Sequence, residues 1–116
     1  MTRLLVIDDH DVVRQGLVTA LRKNGFENIE TAGSLAQARA KITTFNPQAM
    51  IVDLNLPDGS GLELVQWVRK LSPSAAIIVL SLNAPERFAR ISQSAGANSY
   101  ISKVQSIDEI LAALNF

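Results

Sequence analysis

The sequence contains no cysteine. That excludes a disulfide framework, a thiol nucleophile and any cysteine-based zinc site. Histidine is nearly absent too. His10 is the only one, so a His-rich metal site is excluded. Neither sign of charge is in excess: 11 Lys and Arg stand against 11 Asp and Glu. Nothing therefore suggests a basic face, and direct nucleic-acid binding is not expected. No apolar run approaches the roughly 18 residues of a membrane span. Arg3-Leu4-Leu5-Val6-Ile7 runs straight into acidic residues, unlike a signal peptide. The expectation is a cytoplasmic protein with no membrane contact. With 116 residues, 47% apolar and 19% charged, the chain fits one globular domain over residues 1–116.

The most informative stretch is Met50-Ile51-Val52-Asp53-Leu54-Asn55-Leu56-Pro57-Asp58-Gly59. A continuous apolar run ends in a carboxylate, and turn residues follow at once. Such a run reads as a strand buried on both faces, as in a parallel sheet. Leu4–Ile7, stopping at Asp8-Asp9, has the same form, and so has Ala76–Leu80, stopping at Ser81. Two further strands, Asn28–Ala32 and Ser99–Ser102, are more polar and read as sheet edges, the second ending at Lys103.

Helical patterns separate these strands. Val13, Leu17 and Leu21 recur at four-residue spacing before Asn24-Gly25. Ser34 with Gln37, Ser60 with Glu63 and Ser106 with Glu109 have the spacing of capping boxes. The expected inward stripes are Leu35, Ala38, Ile42 and Phe45, then Leu64, Val65, Val68 and Leu71. Phe88, Ile91 and Ala95 follow, and last Ile107, Ile110, Leu111 and Leu114. Asn46-Pro47 and Ser72-Pro73 end two of these helices, and Pro85 suits the first position of another.

Five alternating βα units predict an α/β fold with a parallel sheet and right-handed crossovers. Ranking the strands by apolarity fits the flavodoxin-like order 2-1-3-4-5 with helices on both faces. Asp8, Asp9 and Asp53 then meet at the carboxyl edge of the sheet, with Ser81 and Lys103 nearby. Three neighbouring carboxylates call for a cation, and an all-oxygen set suits Mg²⁺. A carboxylate can also act as a nucleophile and become an aspartyl-phosphate. Lys103 could balance charge on the transferring oxygens, and the Ser81 hydroxyl could donate to them.

Over essentially its whole length the chain resembles the receiver domains of two-component response regulators. The residues that carry the likeness are Asp8-Asp9, the stretch Asp53 to Gly59, Ser81, Tyr100 and Lys103. The resemblance implies that Asp53 accepts phosphate from a sensor histidine kinase in a Mg²⁺-dependent reaction. It implies metal ligation by Asp9, Asp53 and the backbone carbonyl of Asn55, with Asp8 helping through water. Ser81 would bind the phosphoryl group, Lys103 would pair with it, and Tyr100 would be the switch aromatic. The domain would catalyse its own phosphoryl transfer and dephosphorylation without being an enzyme in the ordinary sense. The fourth helix, fifth strand and fifth helix would signal to an output domain or a second receiver. The Asp8-Asp9-His10 start and the absence of proline after Lys103 look most like receivers with LuxR-type helix-turn-helix outputs, hence transcription regulation.

Plainer roles exist for each residue. Asp8 and Asp9 could simply begin a helix, Asp53 could be an Asx-turn residue, and Tyr100 could be edge packing. The alternative function is a pseudo-receiver, a protein-interaction module that works without phosphate. A flavin carrier is disfavoured because Asp8-Asp9-His10-Asp11 would repel a phosphate. A dehalogenase-type phosphatase would want a carboxylate where Asn55 stands. Two residues depart from the family pattern: Val104 replaces a frequent proline, and Leu82 replaces a small residue. A trans Lys103-Val104 bond is expected, since cis before a non-proline costs about 3–4 kcal/mol.

Overall fold

The computed structural model describes residues 2–82, 85–103 and 107–114, the side chains of 85–87 and 107 excepted. Five strands form one parallel sheet: β1 (Leu4–Ile7), β2 (Ile29–Ala32), β3 (Ala49–Asp53), β4 (Ala76–Ser81) and β5 (Ser99–Ser102). The order is β2-β1-β3-β4-β5, as expected from the strand apolarities. Between them lie α1 (Asp11–Lys23), α2 (Leu35–Phe45), α3 (Gly61–Leu71), α4 (Pro85–Ala95) and, after β5, α5 (Ile107–Leu114).

The three central strands are apolar up to their carboxyl ends because both faces are covered, while the edge strands β2 and β5 carry polar residues. On one face Leu5, Ile7, Met50, Val52, Ile77 and Val79 pack against Leu35, Ala38, Leu64, Val65 and Val68 from α2 and α3. On the other, Leu4, Val6, Ile51, Ile78 and Leu80 meet Leu21 of α1 and Ile110 and Leu114 of α5. Alternation along each strand sends neighbouring residues to opposite layers. Burying each such Leu or Ile is worth about 1.5–3 kcal/mol.

Register sets the site. Ile7 lies beside Val52, and Asp53 lies beside Leu80. Asp8, Asp53 and Ser81 thus follow one another along the carboxyl edge. The chain diverges there, with β1 between β2 and β3, which is the switch point of this topology.

Several local expectations change. Asn55–Leu56 and Gly59–Ser60 pair as a small antiparallel hairpin across Pro57-Asp58, where only a loop was expected. Asp58 anchors it by accepting from the free N–H groups of Leu35 and Ala36 at the start of α2, at 2.7 and 3.0 Å. The Ser34 hydroxyl does accept from Gln37 N–H, but the Gln37 side chain reaches Gly33 N–H instead of Ser34. Ser60 accepts from Leu62 N–H rather than from Glu63. Ser106 and Val104 lie outside the described residues, so the third capping box and the Lys103-Val104 bond do too.

Three residues expected to face inward are exposed: Val13, Leu71 and Ile91. Leu71 is the last residue of α3. Periodicity gives a direction but not how far the facing surface extends. Among the described side chains of α4 the buried one is Ser92, one residue after Ile91. Arg69 was not singled out, yet its guanidinium donates to the carbonyls of Gly96, Pro73 and Ala75 and to Asn98 Oδ1. It ties the carboxyl ends of α3 and α4 to the sheet. A Cβ on Gly96 would stand 2.9 Å from the Arg69 stem, and φ there is +122°.

Candidate functional site

Asp8 follows β1, Asp53 ends β3, and Lys103 follows β5. The Lys103 ammonium lies 3.1 Å from Asp8 Oδ2 and 3.1 Å from Asp53 Oδ2. All three side chains are nearly sealed from solvent, at 8%, 1% and 2% exposure.

The two carboxylates are held in parallel ways. Asp53 Oδ1 accepts the N–H of Asn55, two residues on, at 3.1 Å. Asp8 Oδ1 accepts the N–H of His10, again two residues on, at 2.9 Å. Each is therefore an Asx-turn residue, and each turns its other oxygen to Lys103. The plain reading of Asp53 as turn chemistry is correct and coexists with the charged role. Asp8 Oδ2 is buried, and the Lys103 ammonium is its ion-pair partner.

Burial raises the Asp53 carboxyl above its usual 3.8. The Asn55 N–H and Lys103 pull it down without cancelling that, and Asp8 pushes it up further. Burial alone would lower Lys103. Its pairing with Asp53 and Asp8 outweighs burial and holds it above the usual 10.5. The two directions are compatible: one ammonium gains from two carboxylates, while each carboxylate has half an ammonium and a like-charged neighbour.

Asp9 stands at the open rim. Ligand atoms of Asp8, Asp9, His10 and Asp53 all lie within 4.8 Å of one another. This set could hold a divalent ion; its hard carboxylate oxygens fit Mg²⁺. Asn55 opens the hairpin beside Asp53. Ser81 is fully buried one residue beyond Leu80, the register partner of Asp53. Its carbonyl accepts from Lys103 N–H at 2.7 Å, linking the ends of β4 and β5. Tyr100 is half-buried on β5 and packs, like Phe88 of α4, against the core layer containing Val79.

Other residues also shape the site, among them His10, to which the sequence assigned no chemistry. His10 Nδ1 stands 3.3 Å from Asp8 Oδ1 and 3.2 Å from Asp9 Oδ1. Arg14 donates to the carbonyl of Asp8 at 2.6 Å. At Gly61 a Cβ would fall 2.2 Å from the carbonyl oxygen of Asp53, so only glycine lets α3 begin so close to the strand end. Its position directly after the capping serine was the one available signal. Leu82 is exposed and lines a cleft of about 450 Å³ with His10, Val13, Leu17, Lys103 and Ile110.

Comparison with known proteins agrees with this geometry. Residues 4–115 match the response regulator receiver domain family. The KDP operon transcriptional regulatory protein KdpE of Escherichia coli is 36% identical over 98% of this chain and 50% of its own length. The photosynthetic apparatus regulatory protein RegA of Rhodovulum sulfidophilum is 34% identical over 96% of this chain and 60% of its own. The chain thus spans about half the length of the curated relatives it matches. Among solved structures, a Burkholderia pseudomallei response regulator with a phosphorylated aspartic acid and a calcium ion superposes with TM-score 0.90 at 31% identity, covering 99% of this chain and 67% of the other. TrrA of Thermotoga maritima, solved with Mg²⁺ and BeF, gives 0.88 at 32% identity over 98% and 96%. The chain belongs to the response regulator receiver domain family.

Proposed function

We propose that residues 1–116 act as one receiver unit, a phosphorylation-controlled switch with Asp53 as phosphoacceptor. The observation that carries this is the pairing of Asp53 Oδ2 and Asp8 Oδ2 on the one buried Lys103, with Asp9 at the rim. Asp53 Oδ2 attacks phosphorus, a P–O bond forms, and the bond from phosphorus to the donor breaks. Lys103 then turns from carboxylate partner to partner of the new phosphoryl oxygens, at no cost in burial. Ser81, at the adjoining strand end, donates its hydroxyl to the same group.

Asp53, exposed Asp9 and the Asn55 carbonyl would hold Mg²⁺, with Asp8, already engaged by Lys103 and His10 N–H, acting through water. Mg²⁺ when bound supplies the positive charge that lets an anionic donor approach three carboxylates. The donor is a sensor histidine kinase, which places the domain in the cytoplasm; no helix among the described residues is long and apolar enough to cross a membrane. The phosphoryl group biases Ser81 and Tyr100 toward one of two arrangements. The α4, β5 and α5 face passes that bias to a transcriptional output domain or to a second receiver. The relatives' names as transcriptional regulators support that output. The intact acidic cluster gives no support to a phosphate-independent module.

The test is incubation with acetyl phosphate and Mg²⁺, read by intact mass. One phosphate should add to wild type, and none to Asp53→Asn or in excess EDTA. Equal labelling of Asp53→Asn would overturn the reading.

A further inference from the structure

Asp8 and Asp53 each accept a backbone N–H, whereas the Asp9 carboxylate meets only the exposed His10 ring, at 3.2 Å. The direction of Asp9 is therefore set by the backbone that precedes it. Asp8 is gripped at both of its backbone groups. Its N–H donates to the Ala32 carbonyl of β2 at 3.0 Å. Its carbonyl accepts from Arg14 Nη1 at 2.6 Å. That carbonyl belongs to the Asp8–Asp9 peptide, which is planar. Holding the oxygen fixes the plane from which Asp9 departs. Arg14 opens the second turn of α1, where a cation gains nothing from the helix dipole. Its worth lies in what the guanidinium holds. The side chain leans back toward the amino end, as helical side chains do, and Nη2 pairs with Asp11. A Cβ on Gly33 would stand 3.3 Å from Nη1, so the guanidinium also rests against the turn after β2.

We propose that Arg14 is a positioning residue, holding the Asp8–Asp9 peptide so that the rim carboxylate of Asp9 is aimed at the metal it would ligate. It acts through the peptide and not on the ion or the phosphoryl group. This rests on the reading of Asp9 as a direct Mg²⁺ ligand. Charge alone predicts the opposite effect. A guanidinium beside the acidic cluster repels a divalent cation, so its removal should tighten Mg²⁺ binding. Positioning predicts weaker binding, because an unheld Asp9 must be ordered when the ion arrives. The two accounts differ in sign. Lysine keeps the charge and one donor but lacks the fork that grips Asp8 and Asp11 together. It should preserve part of the effect.

Calorimetric titration with MgCl₂ needs no phosphodonor. Affinity should fall about tenfold in Arg14→Met, the lower end for losing a partner outside the metal's own shell. It should fall less in Arg14→Lys. In acetyl phosphate labelling the Mg²⁺ concentration for half-maximal rate should rise by the same factor. The rate at saturating Mg²⁺ should stay within about twofold of wild type, the pattern of lost binding rather than lost chemistry. Unchanged or tighter Mg²⁺ binding in Arg14→Met would overturn the proposal. So would a rate loss that saturating Mg²⁺ does not repair. An equal fall in Arg14→Lys would also overturn it, since that would mean general damage to α1. If circular dichroism shows Arg14→Met unfolded, Arg14→Gln carries the same comparison. Mg²⁺ binding by wild type without labelling would sink the switch reading and leave the Arg14 assignment standing. Full labelling with Mg²⁺ affinity unmoved by Arg14→Met would do the reverse. A wild type that binds no Mg²⁺ would end both.

Discussion

The Lys103 ammonium lies 3.1 Å from Asp53 Oδ2, and the two sides of that pair are not equal. Lys103 serves two buried carboxylates, while Asp53 is held ionised against the pull of burial. Asp53 has a raised folded pKa, so stability falls as pH rises from 3.8 through that value. Removing its charge removes the loss. Asp53→Asn should leave the urea midpoint at pH 7 equal to wild type or higher. Lys103→Met strands two carboxylates and should lower stability by about 3 kcal/mol, the low end for a broken buried pair because the site opens at the sheet edge. A lower midpoint for Asp53→Asn than for Lys103→Met would contradict this account.

A leucine at position 82 could either crowd the mouth of the site or pack into a neighbouring helix. Its 67% exposure rules out the second. It lines the rim of a cleft shared with His10 and Lys103. Leu82→Ala should therefore move the urea midpoint by no more than about 0.5 kcal/mol equivalent. Relief of about 0.5–1 kcal/mol of crowding corresponds to about two- to fivefold in rate. Both loading from acetyl phosphate and loss of the phosphoryl group should accelerate. A stability loss with unchanged rates would return Leu82 to a packing role.

The legible parts of this protein were those encoded locally. Each sheet strand is a short run bounded by turn residues, and its apolarity reports whether it is central or edge. Once the strand order follows, Asp8, Asp53, Ser81 and Lys103 are placed by register alone. What stayed hidden depends on contacts between distant segments. Asp58 looks like a turn residue but caps α2 across 23 residues. Arg69 looks like a solvated helix charge but gathers carbonyls from two loops. Val13, Leu71 and Ile91 sit on apolar stripes whose partners end before reaching them.

Gly61 and Gly16 provide a matched pair of substitutions. A Cβ at Gly61 meets the Asp53 carbonyl oxygen at 2.2 Å and Leu54 Cα at 3.0 Å, both backbone atoms that cannot swing aside. Gly61→Ala should cost about 1–3 kcal/mol as overpacking and displace the end of β3, weakening Mg²⁺ binding as well. At Gly16, inside α1, nothing lies within 4 Å of the added Cβ. Gly16→Ala should stabilise by about 0.5–1 kcal/mol through helix propensity. Chemical denaturation gives both signs, and calorimetry with Mg²⁺ gives the second effect of Gly61→Ala. Equal behaviour of the two variants would remove the close-approach argument.

Asp58 gives the acid limb of stability a specific origin. Its carboxylate accepts the N–H groups of Leu35 and Ala36, and these hold its pKa below the usual 3.8, the Leu35 bond contributing most. They also fix the hairpin that carries Asn55 to the amino end of α2. A depressed folded pKa contributes stability that is fully present above 3.8 and is lost as pH falls through the folded value. Asp58→Asn keeps one acceptor oxygen and loses the charge that suits a helix amino terminus. Wild type should therefore exceed Asp58→Asn by a constant margin at neutral pH, and the margin should shrink once pH drops below about 3.8. Urea midpoints of both proteins across that range measure it. A margin that persists unchanged to the lowest pH would show that Asp58 acts through shape alone, without its charge.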